Sequence, residues 1–498
     1  MIETLIAASG QVFQLNVMLV VLSSAAYGLF VGAIPGLSAT MAVALLVPVT
    51  FFMQPVPAIA AMVTATAMAI FSGDVPGCLL RIPGTPASAA YADEAHLLTK
   101  KGKAELALGG GLVCSCIGGL FGTAVLIIGA PALAELALQF SSYEYFWLVL
   151  LGLTCAIFIA SADPLKGFVS LFLGLAITSV GMGNPTGYPR FTFGSDNLLG
   201  GLSLIPIMVG MFAVSEVLRY AIASAKPMHA VDSAITSVFG GVWKLLVKYP
   251  KSILRGSALG TIVGALPGAG ADIAAYMSYA VSKKFSKEPE KFGTGHPEGI
   301  VEASAANNGS LAGAWIPALV FGIPGDSITA IVIGVLYMKD LNPGPMIFIN
   351  NAVAMYSIFV VFIVANLLML PLGYALIKLA KHILRTPRQL LMPLILVFCI
   401  VGSYAINNSI FDVGVMLAFG VLAYLMEENG FPIAPTILGV VLGTMLEENH
   451  ISSVIKSDGN IIAFFERPIA GTLGVVTILI WTAPLLLRYL RKRKSTAG

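Results

Sequence analysis

The chain has 498 residues, of which 57% are hydrophobic and 11% charged, and its formal net charge is +3; its mean hydropathy is +0.90. Soluble domains carry about 25% charged residues, so this composition excludes a water-soluble globular domain. Apolar runs such as Val353 to Ile377 and Gly471 to Leu487 outweigh any polar–apolar alternation, which favours membrane helices over a barrel.

The start, Met1-Ile2-Glu3-Thr4, has no basic region and does not read as a cleaved signal peptide. Apolar sequence then leads into Gly28-Leu29-Phe30-Val31-Gly32-Ala33-Ile34-Pro35-Gly36-Leu37-Ser38-Ala39-Thr40. Proline ends a helix there and glycine permits a reversal. The flanks carry Glu3, Gln11 and Gln54 but no basic residue, so a hairpin here is expected to enter from outside the cell. An uninterrupted span from about Val12 to Ile34 is the alternative. A second break follows at Ile82-Pro83-Gly84-Thr85-Pro86-Ala87-Ser88, with Arg81 immediately before it and Asp74 seven residues earlier.

Basic residues cluster at Lys100/Lys101/Lys103, Lys244/Lys248/Lys251/Arg255, Lys283/Lys284/Lys287/Lys291, Lys378/Lys381/Arg385/Arg388 and Arg488/Arg491/Lys492/Arg493/Lys494. The positive-inside rule assigns all five to the cytoplasm, with the C-terminus. Four spans, near 106–130, 144–163, 165–185 and 198–222, separate the first two clusters. Four more, near 390–407, 411–427, 433–448 and 461–487, follow the fourth. Even numbers return the chain to the same side, as the assignment requires.

Between the second and third clusters the first motif returns as Gly260-Thr261-Ile262-Val263-Gly264-Ala265-Leu266-Pro267-Gly268-Ala269-Gly270-Ala271-Asp272, identical at seven of 13 positions. Both flanks are basic, so a hairpin entering from the cytoplasm and turning at Pro267-Gly268 is expected. The second break returns as Ile323-Pro324-Gly325-Asp326-Ser327-Ile328-Thr329. The offsets, 232 and 241 residues, are nearly equal. The predicted fold is an all-α polytopic membrane protein with about 10–12 transmembrane helices, re-entrant hairpins broken at Pro-Gly, and two inverted internal repeats. Its expected organisation is a first membrane repeat over 1–225, a basic cytoplasmic connection over 226–255, a second membrane repeat over 256–487 and a basic cytoplasmic tail over 488–498.

Each break leaves a helix N-terminus whose N–H groups suit a carboxylate and a helix C-terminus whose carbonyls suit Na⁺. Gly36, Gly84, Gly268, Gly270 and Gly325 permit close backbone approach, and Ser38, Thr40, Thr85, Ser88, Ser327 and Thr329 add hydroxyls. The bland alternative is that these hydroxyls only cap the next helix. Asp272 and Asp326 follow the breaks of the second copy, where the first has Thr40 and Thr85; each can cap its helix, ligate Na⁺ or carry a proton. The adjacent amides Asn307 and Asn308 can coordinate Na⁺, hold a carboxylate, or bond two helices together. Arg81 can clamp a carboxylate, pair with Asp74, or snorkel to the interface. Gly28-x-x-x-Gly32 and Gly260-x-x-x-Gly264 read as helix-packing motifs.

Cys78, Cys114, Cys116, Cys155 and Cys399 lie in apolar stretches and read as core residues, and the five histidines have no metal-site spacing. Gly102-Lys103 lacks the glycine of a P-loop, so no ATPase is implied. Gly268-Ala269-Gly270-Ala271-Asp272 is one residue too long for the Gly-x-Gly-Asp pattern of aspartyl intramembrane proteases, and His-Glu-x-x-His is absent, so the chain is not expected to be an enzyme.

Val263 to Ala271, Gly295-His296-Pro297-Glu298-Gly299-Ile300-Val301-Glu302-Ala303 with Ala306-Asn307-Asn308, and Phe321-Gly322-Ile323-Pro324-Gly325 resemble the TctA family, the large permease subunits of tripartite tricarboxylate transporters. The resemblance covers nearly the whole chain. It implies a bacterial inner-membrane secondary transporter importing citrate or another small di- or tricarboxylate with Na⁺ or H⁺. It also implies a small TctB-like membrane subunit and a periplasmic TctC-like substrate-binding protein. No cofactor and no nucleic-acid partner follow from it. A passive carboxylate channel or uniporter is the nearest alternative, and an intramembrane hydrolase the remote one.

Overall fold

The computed structural model describes residues 2–160, 163–183, 187–222, 237–384 and 388–496. The chain divides into two units, Met1–Ala134 with Ser203–Asn429, and Glu135–Leu202 with Gly430–Gly498. Of the expected connection over 226–255, residues 226–236 lie outside the described residues, as do the side chains of the basic tail.

The larger unit begins with α1 (Ile2–Val12), α2 (Leu15–Ala33), α3 (Ala39–Phe51), α4 (Pro55–Ser72), α5 (Asp74–Leu80), α6 (Pro86–Lys100) and most of α7 (Ala104–Ala137). In the smaller unit α8 (Ser142–Ala160) and α9 (Pro164–Thr178) follow. The larger unit resumes with α10 (Leu204–Val209), α11 (Ser215–Ile222), α12 (Val242–Lys248), α13 (Pro250–Gly264), α14 (Gly270–Phe285), α15 (Pro297–Phe321), α16 (Ser327–Met338), α17 (Ile347–Asn350), α18 (Ala352–Ile383), α19 (Arg388–Asn407) and α20 (Ile410–Glu428). The chain closes in the smaller unit with α21 (Ile433–Lys456), α22 (Ala463–Glu466) and α23 (Pro468–Thr496). Among the described residues the strands are β1 (Gly181–Met182) and β2 (Pro189–Arg190), an antiparallel pair.

Among the described residues, seven helical stretches are long and apolar enough to cross a membrane: 15–33, 55–80, 104–137, 204–222, 352–380, 389–407 and 410–428. Five shorter apolar helices accompany them. The chain is therefore an all-α polytopic membrane protein. At about 1.5 Å per residue, α2 reaches about 28 Å and α13 about 22 Å, against a hydrocarbon core of about 30 Å. The first arm of the first break is thus a full-length span, the uninterrupted alternative, whereas α13 falls short of one.

Two helices form the axis of the larger unit. α4 is buried from Ala58 to Ser72, and α15 from Glu298 to Phe321. Small residues let them bury every face. A methyl group added at Gly28 of α2 would lie 2.3 Å from the Ala65 carbonyl oxygen, and one at Gly260 of α13 would lie 2.2 Å from that of Ala306. At Gly32 the Ala69 oxygen would be 2.4 Å away, and at Gly264 the Ser310 oxygen 2.2 Å. Both Gly-x-x-x-Gly motifs therefore bring helix backbones into contact, as small-residue packing requires. Ala65 and Ala306, like Ala69 and Ser310, are separated by the same 241 positions as the second pair of breaks.

The smaller unit packs α21 on α8 and α9. Thr436 donates to the Ser170 carbonyl at 2.8 Å, and Arg190 makes a two-pronged ion pair with Glu447 at 2.6 and 3.0 Å. Trp147 donates to the Phe464 carbonyl at 2.9 Å inside a cluster with Tyr143 and Phe146.

Candidate functional site

The four breaks fall between α2 and α3, α5 and α6, α13 and α14, and α15 and α16, all in the larger unit. They form two matched pairs. In the first pair the turn is made by Gly36 (φ 84°) and Gly268 (φ 78°), a left-handed conformation closed to most side chains. In the second, the preceding helix ends on Arg81 (φ 60°) or Gly322 (φ 69°). The Arg81 and Ile82 N–H groups bond back to Gly77 and Pro76 at 3.1 and 3.3 Å; those of Gly322 and Ile323 bond to Ala318 and Pro317 at 3.1 and 3.2 Å. This double bond pattern is a Schellman-type helix end. Gly84 is wedged against Gly73 and the Gly32 carbonyl, and Gly325 against Ala314 and the Gly264 carbonyl.

The helices leaving the breaks pack crosswise. α3 lies on α16, and α6 lies on both α14 and α15. Lysines secure each crossing: Lys339 donates to the Phe51 and Met53 carbonyls at the end of α3, at 2.8 and 2.6 Å, and Lys101 donates to the Thr294 carbonyl beyond α14 at 2.5 Å. At Gly270 an added methyl would meet the Asp326 Cβ at 2.7 Å, and the Ala87 N–H lies beside the Asp272 carboxylate. The breaks of the second copy and the α6 N-terminus of the first are thereby gathered at one place.

The candidate residues divide by burial. Thr85 and Ser88 are buried and form a capping box, with the Ser88 N–H donating to Thr85 Oγ1 at 3.2 Å. Asp326 repeats that box: its Oδ1 accepts from the Thr329 N–H and hydroxyl, both at 2.7 Å. Ser38 caps α3 by accepting from the Met41 N–H at 3.1 Å. Gly84, Gly270 and Gly325 are buried. Gly36 and Asp272 are exposed, while Ser38, Thr40, Gly268, Asp326 and Ser327 are half-buried. No side chain caps α14, so its first-turn N–H groups are not taken by a cap. The buried hydroxyls therefore hold the turns, and the accessible set is Gly36, Ser38, Thr40, Gly268, Asp272, Asp326 and Ser327.

Asn307 and Asn308 are buried on α15. Asn307 donates from Nδ2 to the Tyr91 hydroxyl at 3.2 Å, and Asn308 donates to the Met369 sulfur at 3.3 Å. The Oδ1 atoms of both have no hydrogen-bond partner. The amides thus join helices through their nitrogens and leave oxygens over. Arg81 does not pair with Asp74; it meets Asp93 at 2.7 Å on the surface, while Asp74 accepts from the Tyr91 hydroxyl at 2.6 Å. α5 ends in a left-handed residue at Arg81, and that turn separates the two. Sequence reasoning took Asp74 only as a possible partner of Arg81 and passed over Tyr91. The available signal was an acid inside the apolar stretch 55–80.

The acids of the Gly295–Glu302 motif do structural work. Glu302, fully buried, forms a two-pronged ion pair with Arg255 of α13, 2.7 Å at its longer arm. Glu298 accepts from Ser252 at 2.9 Å and Ser286 at 2.6 Å. The Gly295 and His296 N–H groups donate to Glu94 of α6 at 2.6 and 2.8 Å, joined by Gly293 and the Tyr279 hydroxyl. A cavity of about 710 Å³, lined by amides that include Gln11, Gln14, Gln54 and Asn351, shares none of the break residues.

A helical membrane protein whose broken helices cross in matched pairs, around buried amides and accessible carboxylates, is built as a transporter is built. The family model described as the tripartite tricarboxylate transporter TctA family matches residues 18–438, and the chain belongs to that family. It is 34% identical over 463 residues to an uncharacterized 52.8 kDa protein in the TAR-I ttuC' 3' region of Agrobacterium vitis, covering 92% of this chain and 91% of that protein. It is 35% identical over 228 residues to an uncharacterized protein in the TAR-II ttuC' 3' region of the same organism, covering 45% of this chain and 94% of that protein. No solved structure matches the chain.

Proposed function

We propose that this chain is the permease subunit of a secondary active transporter importing a small, citrate-like di- or tricarboxylate with Na⁺ or H⁺. The crosswise packing of α3 on α16 and of α6 on α14 carries the reading. It gathers several helix N-termini in a membrane protein, and helix N-termini attract carboxylates.

In this reading one carboxylate of the substrate meets the uncapped first turn of α14 and the backbone near Gly36, Gly268 and Gly270. Ser38, Thr40 and Ser327 supply hydroxyls. Thr85, Ser88 and Thr329, with Gly84 and Gly325, hold the turns in shape. Coupling cations take the oxygens of Asn307, Asn308, Asp272 and Asp326, and their charge offsets that of the anion. The two copies act as internal repeats, the first entered by the full-length α2 and the second by the shorter α13. A small TctB-like subunit accompanies the permease in the bacterial inner membrane, and a periplasmic TctC-like protein delivers substrate. The C-terminus is cytoplasmic.

The test is uptake of labelled di- and tricarboxylates into proteoliposomes holding this chain and its small partner, with binding protein outside and Na⁺ and H⁺ gradients imposed separately. Concentrative uptake that needs one gradient and the binding protein is expected. Uptake that only equilibrates would replace the carrier with a channel or uniporter, and absence of any carboxylate flux would remove the substrate class.

A further inference from the structure

We propose that Asp74 and Ser304 form a deep Na⁺ site beside Gly111, completed by the Asn307 oxygen, so that of the cation ligands named above Asn307 belongs to this site and not to the carboxylates at the breaks. The Tyr91 hydroxyl donates its proton to Asp74 Oδ1 at 2.6 Å. Its lone pairs therefore accept, and one group it accepts from is the Asn307 Nδ2 amide at 3.2 Å. That direction settles which end of the amide faces Tyr91, so the Asn307 carbonyl oxygen points elsewhere. Asn307 Oδ1 and Asp74 Oδ2 are buried without a hydrogen-bond partner, and the buried Ser304 hydroxyl, whose hydrogen faces the Tyr91 oxygen, keeps its own lone pairs free. Ser304 and Asn307 sit three residues apart on α15 and so share one face of that helix.

Asp74 is 8% exposed and Ser304 and Asn307 at most 1%. None of the described ion pairs includes Asp74. A buried carboxylate without a cationic partner is costly, and so are buried oxygens without donors. One Na⁺ answers both costs, because it is a positive charge that takes several oxygen ligands of mixed type. A proton on Asp74 Oδ2 would neutralise the acid and leave the Asn307 oxygen as it was.

Gly111 of α7 leaves the room. A methyl group at its Cβ position would sit 3.5 Å from Ser304 Oγ and 3.7 Å from Asp74 Oδ2, in ordinary contact with both oxygens. Gly111→Ala therefore fills the space without a clash. The Ser304 carbonyl is fixed in turn by the Ser115 hydroxyl of α7 at 3.3 Å. Four helical segments, α5, α6, α7 and α15, meet here.

The role of the ion in transport rests on the carrier reading above, but its binding does not, so the two fail separately. The full-length chain, purified in detergent, is titrated with ²²Na⁺ at constant ionic strength in choline, without substrate. Saturable binding is expected in the parent. Gly111→Ala and Asp74→Asn are expected to weaken it at least tenfold, and Ser304→Ala several-fold, with melting temperatures in choline close to the parent's. Absence of saturable binding in the parent would overturn the site, as would full affinity in Gly111→Ala or Asp74→Asn. Loss of carboxylate uptake with Na⁺ binding intact would overturn the carrier reading alone.

Discussion

Asp326 is both a helix cap and a proposed cation ligand, and substitution separates the two roles. Its Oδ1 accepts two bonds from Thr329, both at 2.7 Å. Asp326→Ala removes them and is expected to cost about 0.5–2 kcal/mol, the range for a lost N-cap. Asp326→Asn keeps an oxygen in the Oδ1 position, and asparagine caps as well as aspartate, so its cost is expected to stay below about 0.5 kcal/mol. Asp326→Thr copies the box that Thr85 makes with Ser88 in the first copy and is expected to resemble Asn. If the carboxylate also binds the coupling cation, Asn and Thr are expected to raise the cation concentration for half-maximal uptake about tenfold, equivalent to about 1.4 kcal/mol. The assays are thermal unfolding in detergent and uptake at stepped Na⁺ and H⁺ concentrations. Parent-like cation dependence in Asp326→Asn would remove Asp326 from the ion site. A parent-like melting temperature in Asp326→Ala would refute the capping argument instead.

Gly264→Ala places a methyl group 2.2 Å from the Ser310 carbonyl oxygen; overpacking of this kind is expected to cost about 3 kcal/mol or more, read as loss of monodisperse protein on gel filtration. Arg81→Gly relieves a left-handed residue at φ 60°, a gain of about 1 kcal/mol. It gives up an exposed, solvent-screened ion pair with Asp93, so stability is expected to stay level or rise, and a clear fall in melting temperature would show that the pair matters more than the strain. Glu94→Gln weakens charge-assisted bonds from Gly295 and His296; faster hydrogen exchange at those two amides is expected, by at least about tenfold. Lys291 and His296 beside Glu288 hold its carboxyl below the usual range. A lowered carboxyl stabilises above the ordinary glutamate pKa of about 4.3 and loses that effect as pH falls through its folded value. Protease cleavage in 286–296 is thus expected to rise only below about pH 4, and Glu288→Gln to flatten that dependence.

Much of the architecture was legible in the chain because membrane helices obey local rules. Composition and the lack of polar–apolar alternation favoured membrane helices, and among the described residues seven stretches are long and apolar enough to cross a membrane. The Pro-Gly motifs located all four helix breaks, since proline and glycine act through their own backbone. The paired glycines located close helix contacts, because a missing side chain is visible in sequence. That Gly28 meets Ala65 as Gly260 meets Ala306 emerged only from the structure.

Whether a polar residue faces a partner or stands alone was decided only by tertiary structure. Arg81 and Asp74 lie seven positions apart, yet a left-handed turn sends one to Asp93 and leaves the other with Tyr91. Thr85, Ser88 and Thr329 looked like ligand hydroxyls but are spent on capping boxes, which depend on the angle at which each chain enters its helix. The Asp74 and Ser304 oxygens come from α5 and α15, more than two hundred residues apart, and only packing brings them beside Gly111. Sequence periodicity encodes which face of a helix is buried; the register between helices distant in sequence arises from how all their side chains pack at once.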